Sequence, residues 1–255
     1  MLNEGQLTLR DKYGWNIIAV KDIYKEALSK YGLIIVDEAQ RIYGMQLNHI
    51  IREVKKNYSN CIFSHDGQQT LWRGEITNKI EDKIELEITQ KSFELTTKIR
   101  TNKEVAAFIH CLFDKGRPIE RYGYSSIELK YFDNYRDAAE HLVNLRAIGW
   151  KTINYTPSKK YRLPYENHSV FNETDNAHTV IGQEFDNVAA AIDGHFYFKE
   201  RRLTTRNYKN RPYYHPTKML FQILSRTRIR LNVVIIKNEE VLARCLAIIN
   251  CTKSE

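Results

Sequence analysis

The most constraining feature of this 255-residue chain is a short apolar run that ends in two carboxylates. Leu33–Val36 is wholly apolar, Gly32 precedes it, and Asp37 and Glu38 follow it. Runs of this kind are typical of a strand buried on both faces of a parallel sheet. Ligands of open α/β sheets bind at the carboxyl ends of the strands, so the run predicts an α/β fold with a site at Asp37 and Glu38. The alternative is a core strand that ends in a solvated acidic turn.

Two carboxylates at the end of a strand suit the hydrolysis of a nucleotide. One of them can hold Mg²⁺, often through water, and its neighbour can orient or deprotonate an attacking water. A second predicted strand, Cys61–Phe63, is followed by polar residues that include Asp66 and Gln69. If the two strands are parallel neighbours, these side chains lie beside the carboxylates. Taken alone, Asp66-Gly67 favours a simple turn.

Composition limits the class of protein and the kind of partner. With 42% hydrophobic and 27% charged residues, the chain has the composition of a soluble globular protein. No apolar run reaches the roughly eighteen residues that a membrane span needs, and the start lacks the apolar core of a signal peptide. We therefore expect a cytoplasmic protein without a membrane partner. The net charge of +8 favours a polyanionic partner. The four cysteines have no C-x-x-C spacing, so they predict neither a zinc site nor a disulfide framework.

Hydrophobic periodicity predicts alternating strands and helices along most of the chain, which favours parallel sheets joined by helices. The predicted strands are Asn16–Val20, Leu33–Val36, Cys61–Phe63, Phe93–Thr97, Ile127–Phe132, Lys151–Thr156, Val188–Ile192 and Leu231–Lys237. The predicted helices are Asp22–Tyr31, Arg41–Tyr58, a helix after Asn102 that runs to Leu112, Asp133–Trp150, Met219–Ser225 and Glu239–Asn250. The segments 159–176 and 199–218 are predicted as loops.

Several segments resemble the conserved motifs of superfamily 1 helicases. Asp37–Gln40 resembles motif II, the Walker B box. Asp66 and Gln69 resemble motif III, and in this chain His65 stands at the position of that motif's usual glycine. Leu95–Asn102 resembles motif IV, where an arginine follows a strand and precedes a helix.

Two further segments extend the resemblance to the second half of the chain. His178–Asp186 resembles motif V and Ile223–Arg228 resembles motif VI. The first of them is very similar to the H-[ST]-x-x-G-x-E-F-D segment of bacterial Schlafen-type DNA/RNA helicase domains. The resemblance covers the chain from about Asp22 onward, and the motifs follow in the family's order. The sequence contains no G-x-x-x-x-G-K-[ST], the Walker A loop of such proteins.

The resemblance implies two RecA-like parallel-sheet lobes, the first incomplete at its amino terminus. Residues 1–90 would carry motifs II and III, and residues 91–255 would carry motifs IV, V and VI. The implied cofactors are ATP and Mg²⁺. The implied catalytic and metal roles are Asp37 for magnesium, Glu38 for activating water, Gln69 for sensing the γ-phosphate, and Arg100 and Arg226 for contacting it. Further nucleotide contacts are implied at Gln40, Asp66, Gly182, Glu184 (the ribose) and Arg228.

The predicted loop 199–218 is rich in cations interleaved with tyrosines. Cations can neutralise phosphates while aromatic rings stack on unpaired bases, as in proteins that hold single strands. A solvated basic loop is the alternative. The candidate nucleic-acid contacts are Arg201, Arg202, Arg206, Tyr208, Lys209 and Arg211, with His178 and Gln183 added by the resemblance.

These expectations combine into one function and two alternatives. The chain is predicted to be the carboxyl-terminal portion of an ATP-dependent DNA/RNA helicase or translocase that acts on single-stranded DNA or RNA. Its Walker A loop would come from a missing segment or from a partner polypeptide. One alternative is a non-hydrolysing, helicase-derived subunit that binds nucleic acid or protein. The other is a decayed fragment with neither activity.

Overall fold

The computed structural model describes residues 2, 4–57, 60–66, 80–88, 91–94, 101–158, 175–208 and 212–251. The chain forms two compact units, Met1–Thr96 and Thr97–Glu255. The first contains a two-stranded parallel sheet and the second a four-stranded parallel sheet, each accompanied by helices. The fold class is therefore α/β, as the sequence predicts. The sequence prediction placed the division between the units after residue 90.

Unit 1 is built around the predicted acidic strand. Its helices and strands are α1 (Glu4–Tyr13), β1 (Leu33–Val36), α2 (Gly44–Asn57), β2 (Asn60–Phe63) and α3 (Ile80–Glu87). The predicted strand Asn16–Val20 is not formed, and the predicted helix Asp22–Tyr31 is replaced by two 3₁₀ turns, Val20–Lys25 and Leu28–Lys30. Each turn follows an alanine, which offers no side-chain oxygen to cap an α-helix.

Among the described residues of unit 1, helices cover one face of the β1–β2 sheet. The strands pair in parallel from Leu33↔Asn60 to Val36↔Phe63. Val36 belongs to a buried cluster with residues of α2 and α3, whereas Leu33, Ile35 and Ile62 are 50%, 63% and 54% exposed. Burial of β1 on both faces was therefore predicted wrongly. Successive side chains of a strand point to opposite sides, and α2 and α3 pack on one of them.

This asymmetry predicts different costs for substitutions on the two sides of unit 1. Leu47→Ala in α2 should lower the free energy of unfolding by about 2–5 kcal/mol, because Leu47 is completely buried. Ile35→Thr should change it by about 0.5 kcal/mol or less, because Ile35 is largely exposed. Urea titration of the full chain measures both. Equal costs for the two substitutions would contradict the one-sided packing.

In its described residues, unit 2 has one parallel sheet, with the strand order β3-β8-β5-β4. Its strands are β3 (Ile127–Phe132), β4 (Lys151–Thr152), β5 (Phe185–Ile192), β6 (Phe196–Lys199), β7 (Arg202–Thr205) and β8 (Thr227–Ile236). Its helices are α4 (Lys103–Phe113), α5 (Tyr135–Ala147), α6 (Pro216–Leu224) and α7 (Glu239–Ile249). Asparagines cap three of these helices: Asn102 for α4, Asn134 for α5 and Asn238 for α7. The predicted helix after Asn102 is confirmed.

Two predictions in unit 2 are corrected by the structure. The predicted strand Lys151–Thr156 is a strand only over Lys151–Thr152, with one isolated bridge between Asn154 and Asn176. The predicted loop 199–218 contains β7, which pairs with β6 as an antiparallel hairpin, and the first residues of α6. The inward-facing side chains of the hairpin, including Phe198 and Leu203, are buried. Because such alternating apolar residues stabilise strands, a hairpin forms here in spite of the surrounding charge.

Within the described part of the chain, no helix has both the length and the apolar character that crossing a membrane requires.

Candidate functional site

The carboxyl ends of β1 and β2 bring polar side chains together in unit 1. Asp37 follows β1 and Ser64 follows β2, and the Ser64 hydroxyl donates a hydrogen bond to the Asp37 carboxylate. The backbone N–H of Glu38 donates to the same carboxylate oxygen at 3.0 Å. The pairing continues past the strands, since Ala39 N–H donates to the Ser64 carbonyl at 2.8 Å. The two segments therefore form one polar cluster at this sheet edge.

Gln40 connects the two candidate acidic segments. Its side chain is buried, its Nε2 donates to Glu38 Oε2 at 2.7 Å, and its Oε1 accepts from the backbone N–H of Asp66 at 3.1 Å. Glu38 Oε2 also accepts from Arg41 Nε at 3.1 Å. The structure thus brings Asp37, Glu38, Gln40 and Asp66 together. Gln69 lies outside the described residues.

Glu38 has an unusual backbone conformation. Its φ of 54° and ψ of 42° lie in the left-handed helical region, which costs a residue other than glycine roughly 1–2 kcal/mol. Strain of this kind is concentrated at functional sites, where it holds a side chain in a required direction. Here the turn leaves the Glu38 side chain 25% exposed. A carboxylate so placed can accept a proton from water.

The oxygen ligands of this cluster fit magnesium. Among the described residues, no group of three or more His, Cys, Asp or Glu side chains is placed to enclose a metal ion. Magnesium does not require such a group, because it keeps several waters and binds through one or two carboxylates together with phosphate oxygens. Asp37, an exposed carboxylate next to the Ser64 hydroxyl, offers donors of that type.

The candidate nucleotide contacts of unit 2 lie at the amino ends of its strands. Glu184 immediately precedes β5 and Arg226 immediately precedes β8. The N–H of Phe185 donates to the Arg226 carbonyl at 2.9 Å, so the segments that resemble motifs V and VI are adjacent. In unit 1 the candidate residues Asp37 and Glu38 follow the carboxyl end of β1, where the sequence places them. In unit 2, by contrast, Glu184 and Arg226 lie in the turns that lead into the strands.

The segment that resembles motif IV approaches the same edge. The N–H of Asn102, the cap of α4, donates to the carbonyl of Arg228 at 3.0 Å. Arg100 lies outside the described residues. Arg228 belongs to β8, and its guanidinium is 3.3 Å from the Asp186 carboxylate, with both side chains 55% exposed. Gly182 has a φ of 72°, which only glycine adopts readily and which turns the chain before β5.

Arg226 is only 4% exposed. Its Nη1 donates to the Gln183 carbonyl at 3.3 Å and its Nη2 to the Ser225 hydroxyl at 3.4 Å. These bonds hold the guanidinium against the turn that carries Gly182 and Glu184. The role of Arg226 as an arginine finger stays a prediction.

A cleft of about 460 Å³ opens beside Glu184, within the size range of small-ligand pockets. Two of the aromatic rings that line it are paired with cations: Lys151 Nζ is 5.0 Å from the centroid of Phe185, and the Arg230 guanidinium is 4.9 Å from that of Trp150. Lys151 also binds Asp175 at 2.6 Å. The cleft is lined by Gly149, Trp150, Lys151, Glu184, Phe185, Asp186, Asn187 and Arg228.

The candidate nucleic-acid contacts fall into two separate groups. Arg201, Arg202, Arg206 and Tyr208 belong to the β6–β7 hairpin or directly follow it, beyond the carboxyl end of β5. Gln183 precedes the amino end of β5, a strand that spans about 25 Å.

The remaining candidates are placed as follows. His178 lies in the turn before Gln183, where its Nδ1 is 2.7 Å from the Thr156 hydroxyl. Lys209 and Arg211 lie outside the described residues.

Sequence reasoning missed three residues that the structure places among the candidates. Ser64 contacts Asp37 because Val36 pairs with Phe63, a register that local pattern does not reveal. Tyr197 contacts Arg206, and His195 contacts Tyr208. The alternation Phe196-Tyr197-Phe198-Lys199 could have indicated a strand with Tyr197 on its outer face.

Comparison of the chain with protein-family models gives no match, and a search of curated proteins gives none either.

Proposed function

We propose that this chain belongs to an ATP-dependent DNA/RNA helicase or translocase of the superfamily 1 type, with two RecA-like lobes. It would act with a phosphate-binding loop carried by a polypeptide segment other than these 255 residues. The observation that carries the proposal is the hydrogen-bonded cluster of Asp37, Glu38, Gln40 and Asp66 at the carboxyl ends of two parallel strands.

The roles of individual residues follow from their chemistry. Asp37 would hold Mg²⁺, which screens the negative charge of the phosphates when bound. Glu38 would accept a proton from the attacking water, while Gln40 Nε2 orients the Glu38 carboxylate through a hydrogen bond of 2.7 Å. From unit 2, Arg228 would contact phosphate oxygens through its half-exposed guanidinium and Glu184 would contact the ribose.

A second candidate function is nucleic-acid binding without hydrolysis. It is favoured by the absence of G-x-x-x-x-G-K-[ST] from the sequence, because the amides and lysine of that loop bind the β- and γ-phosphates. The basic hairpin would suffice for such binding.

ATP hydrolysis distinguishes the two functions. The chain should be purified from its native source with the polypeptides that bind it, and hydrolysis compared with that of the isolated chain, each with and without single-stranded DNA or RNA. We expect the assembled protein to turn over ATP on the order of 1–10³ per second when a strand is present, a rate typical of enzymes. The isolated chain should be inactive. Strand binding by the assembled protein without any hydrolysis would refute the helicase proposal and favour the second function.

A further inference from the structure

The β6–β7 hairpin has two chemically different faces. Phe196, Phe198 and Leu203 are buried on the inner face. Lys199 and Arg202 form a cross-strand pair on the outer face and are exposed. Arg206, which lies over the ring of Tyr197, adds a third cation, so the outer face is positively charged. This is the charge that a polyphosphate backbone requires.

Rings and planar cations are stacked at the open end of the hairpin. The Arg206 guanidinium lies 4.5 Å from the centroid of the Tyr197 ring. The rings of His195 and Tyr208 are nearly parallel, 16° apart in plane and 4.4 Å between centroids. Arginine planes and aromatic rings are the surfaces on which proteins stack unpaired bases. The hairpin therefore combines phosphate-binding and base-stacking groups.

Both ends of the hairpin are fixed by hydrogen bonds. At its root, the buried Asn238 amide donates to the carbonyls of Asp193 and Phe196 at 2.7 and 2.8 Å. At its tip, the Arg201 carbonyl accepts from Lys115 N–H at 2.7 Å, and Arg202 is 3.3 Å from Asp114. A surface held at both ends loses little conformational entropy when a ligand binds.

We propose that the outer face of the β6–β7 hairpin, with Tyr197, Lys199 and Arg206 as its principal contacts, is a platform for one unpaired nucleic-acid strand. This inference rests on the proposed function for its nucleic-acid partner and deepens it by naming the surface. The strand's bases stack on the Tyr197–Arg206 and His195–Tyr208 pairs, and its phosphates pair with Lys199 and Arg202. A duplex hides its base faces, so it gains only the phosphate contacts.

The Arg201 side chain is not part of this platform. Its Cδ and Nη1 lie against Gly116, where an added methyl group would meet them at 3.1 and 3.5 Å. Arg201 was predicted as a contact together with Arg202 and Arg206. The platform instead assigns the stacking role to Tyr197, which was not among the predicted contacts.

Fluorescence anisotropy of labelled oligothymidylate and oligouridylate with the full chain, without nucleotide, tests the proposal. Tyr197→Leu keeps an apolar side chain on the strand but removes the ring, and should weaken single-strand binding about 5- to 100-fold. Tyr197→Phe keeps the ring and should bind like the unmodified chain. Duplex binding should be unchanged in both variants. Lys199→Ala should lower the slope of log affinity against log salt by about one.

Unchanged single-strand binding by Tyr197→Leu overturns the platform. So does an equal loss for single strands and duplexes, because stacking then contributes nothing. The anisotropy assay contains no ATP, so its result is independent of the hydrolysis assay. Strand-stimulated hydrolysis with normal binding by Tyr197→Leu would reject the platform and leave the proposed function standing.

Discussion

Glu38→Gln should lower ATP turnover by the assembled protein by about 10²- to 10⁴-fold, the range typical for loss of a general base. Glutamine keeps the length of the side chain and one oxygen that can accept from Gln40 and Arg41, so the cluster should stay folded. It removes the negative charge that takes a proton from water. The rate constant for turnover at saturating ATP and single strand measures the effect.

The control for this substitution is Glu85→Gln, which removes an exposed carboxylate from α3 of the same unit. It should leave turnover unchanged. ATP affinity should be nearly the same in Glu38→Gln as in the unmodified protein, because Glu38 is assigned to the chemical step. A normal rate in Glu38→Gln refutes its role as the base. A loss of ATP binding equal to the loss of turnover shows instead that Glu38 only supports the site's structure.

The two acidic segments of unit 1 were predictable because they depend on local pattern. Apolar runs bounded by polar residues located β1 and β2, and polar residues after parallel neighbours must share an edge. The pairing of Asp66 with Gln40, by contrast, depends on a buried amide that reaches across two segments. A pattern along the chain predicts which residues lie at the sheet edge, but it does not predict the hydrogen bonds between them.

The exposure of Leu33 and Ile35 could not be predicted in the same way. Both are apolar, and a wholly apolar run looks the same whether one or two layers cover the sheet. The position of the layers depends on which helices cross which face, and this is a property of the tertiary structure.

The β6–β7 hairpin shows the opposite failure. The segment 199–218 was predicted as a loop, and its many charges favour one, although Phe196, Phe198 and Leu203 alternate with polar residues as in strands. The burial of these three side chains stabilises the hairpin, while the cations occupy its other face. Charge density thus located a cluster of cations along the chain without indicating its secondary structure, and the binding role of these cations stays a prediction.

Asn238→Ala should lower the free energy of unfolding by about 3–5 kcal/mol, a large effect for one polar side chain. The substitution removes the cap of α7, in which Asn238 Oδ1 accepts from Val241 N–H at 3.0 Å, worth about 1 kcal/mol. It also leaves the Phe196 carbonyl without the amide that binds it, at about 1–3 kcal/mol. The Asp193 carbonyl loses the same amide but still accepts from Phe196 N–H at 3.1 Å, so this loss costs about 1 kcal/mol. Urea titration of the full chain measures the change.

Asn134→Ala is the matched control, because Asn134 caps α5 through a solvent-exposed hydrogen bond from Asp137 N–H at 2.9 Å, and its loss should cost only about 1 kcal/mol. Equal costs for the two substitutions would refute the anchoring role of Asn238. The buried region is also polar at Asp193, whose pKa burial raises, and at Tyr135, whose pKa burial raises to about 12. Since Asn238 holds the root of the β6–β7 hairpin, its loss should also weaken single-strand binding, whereas Asn134→Ala should not.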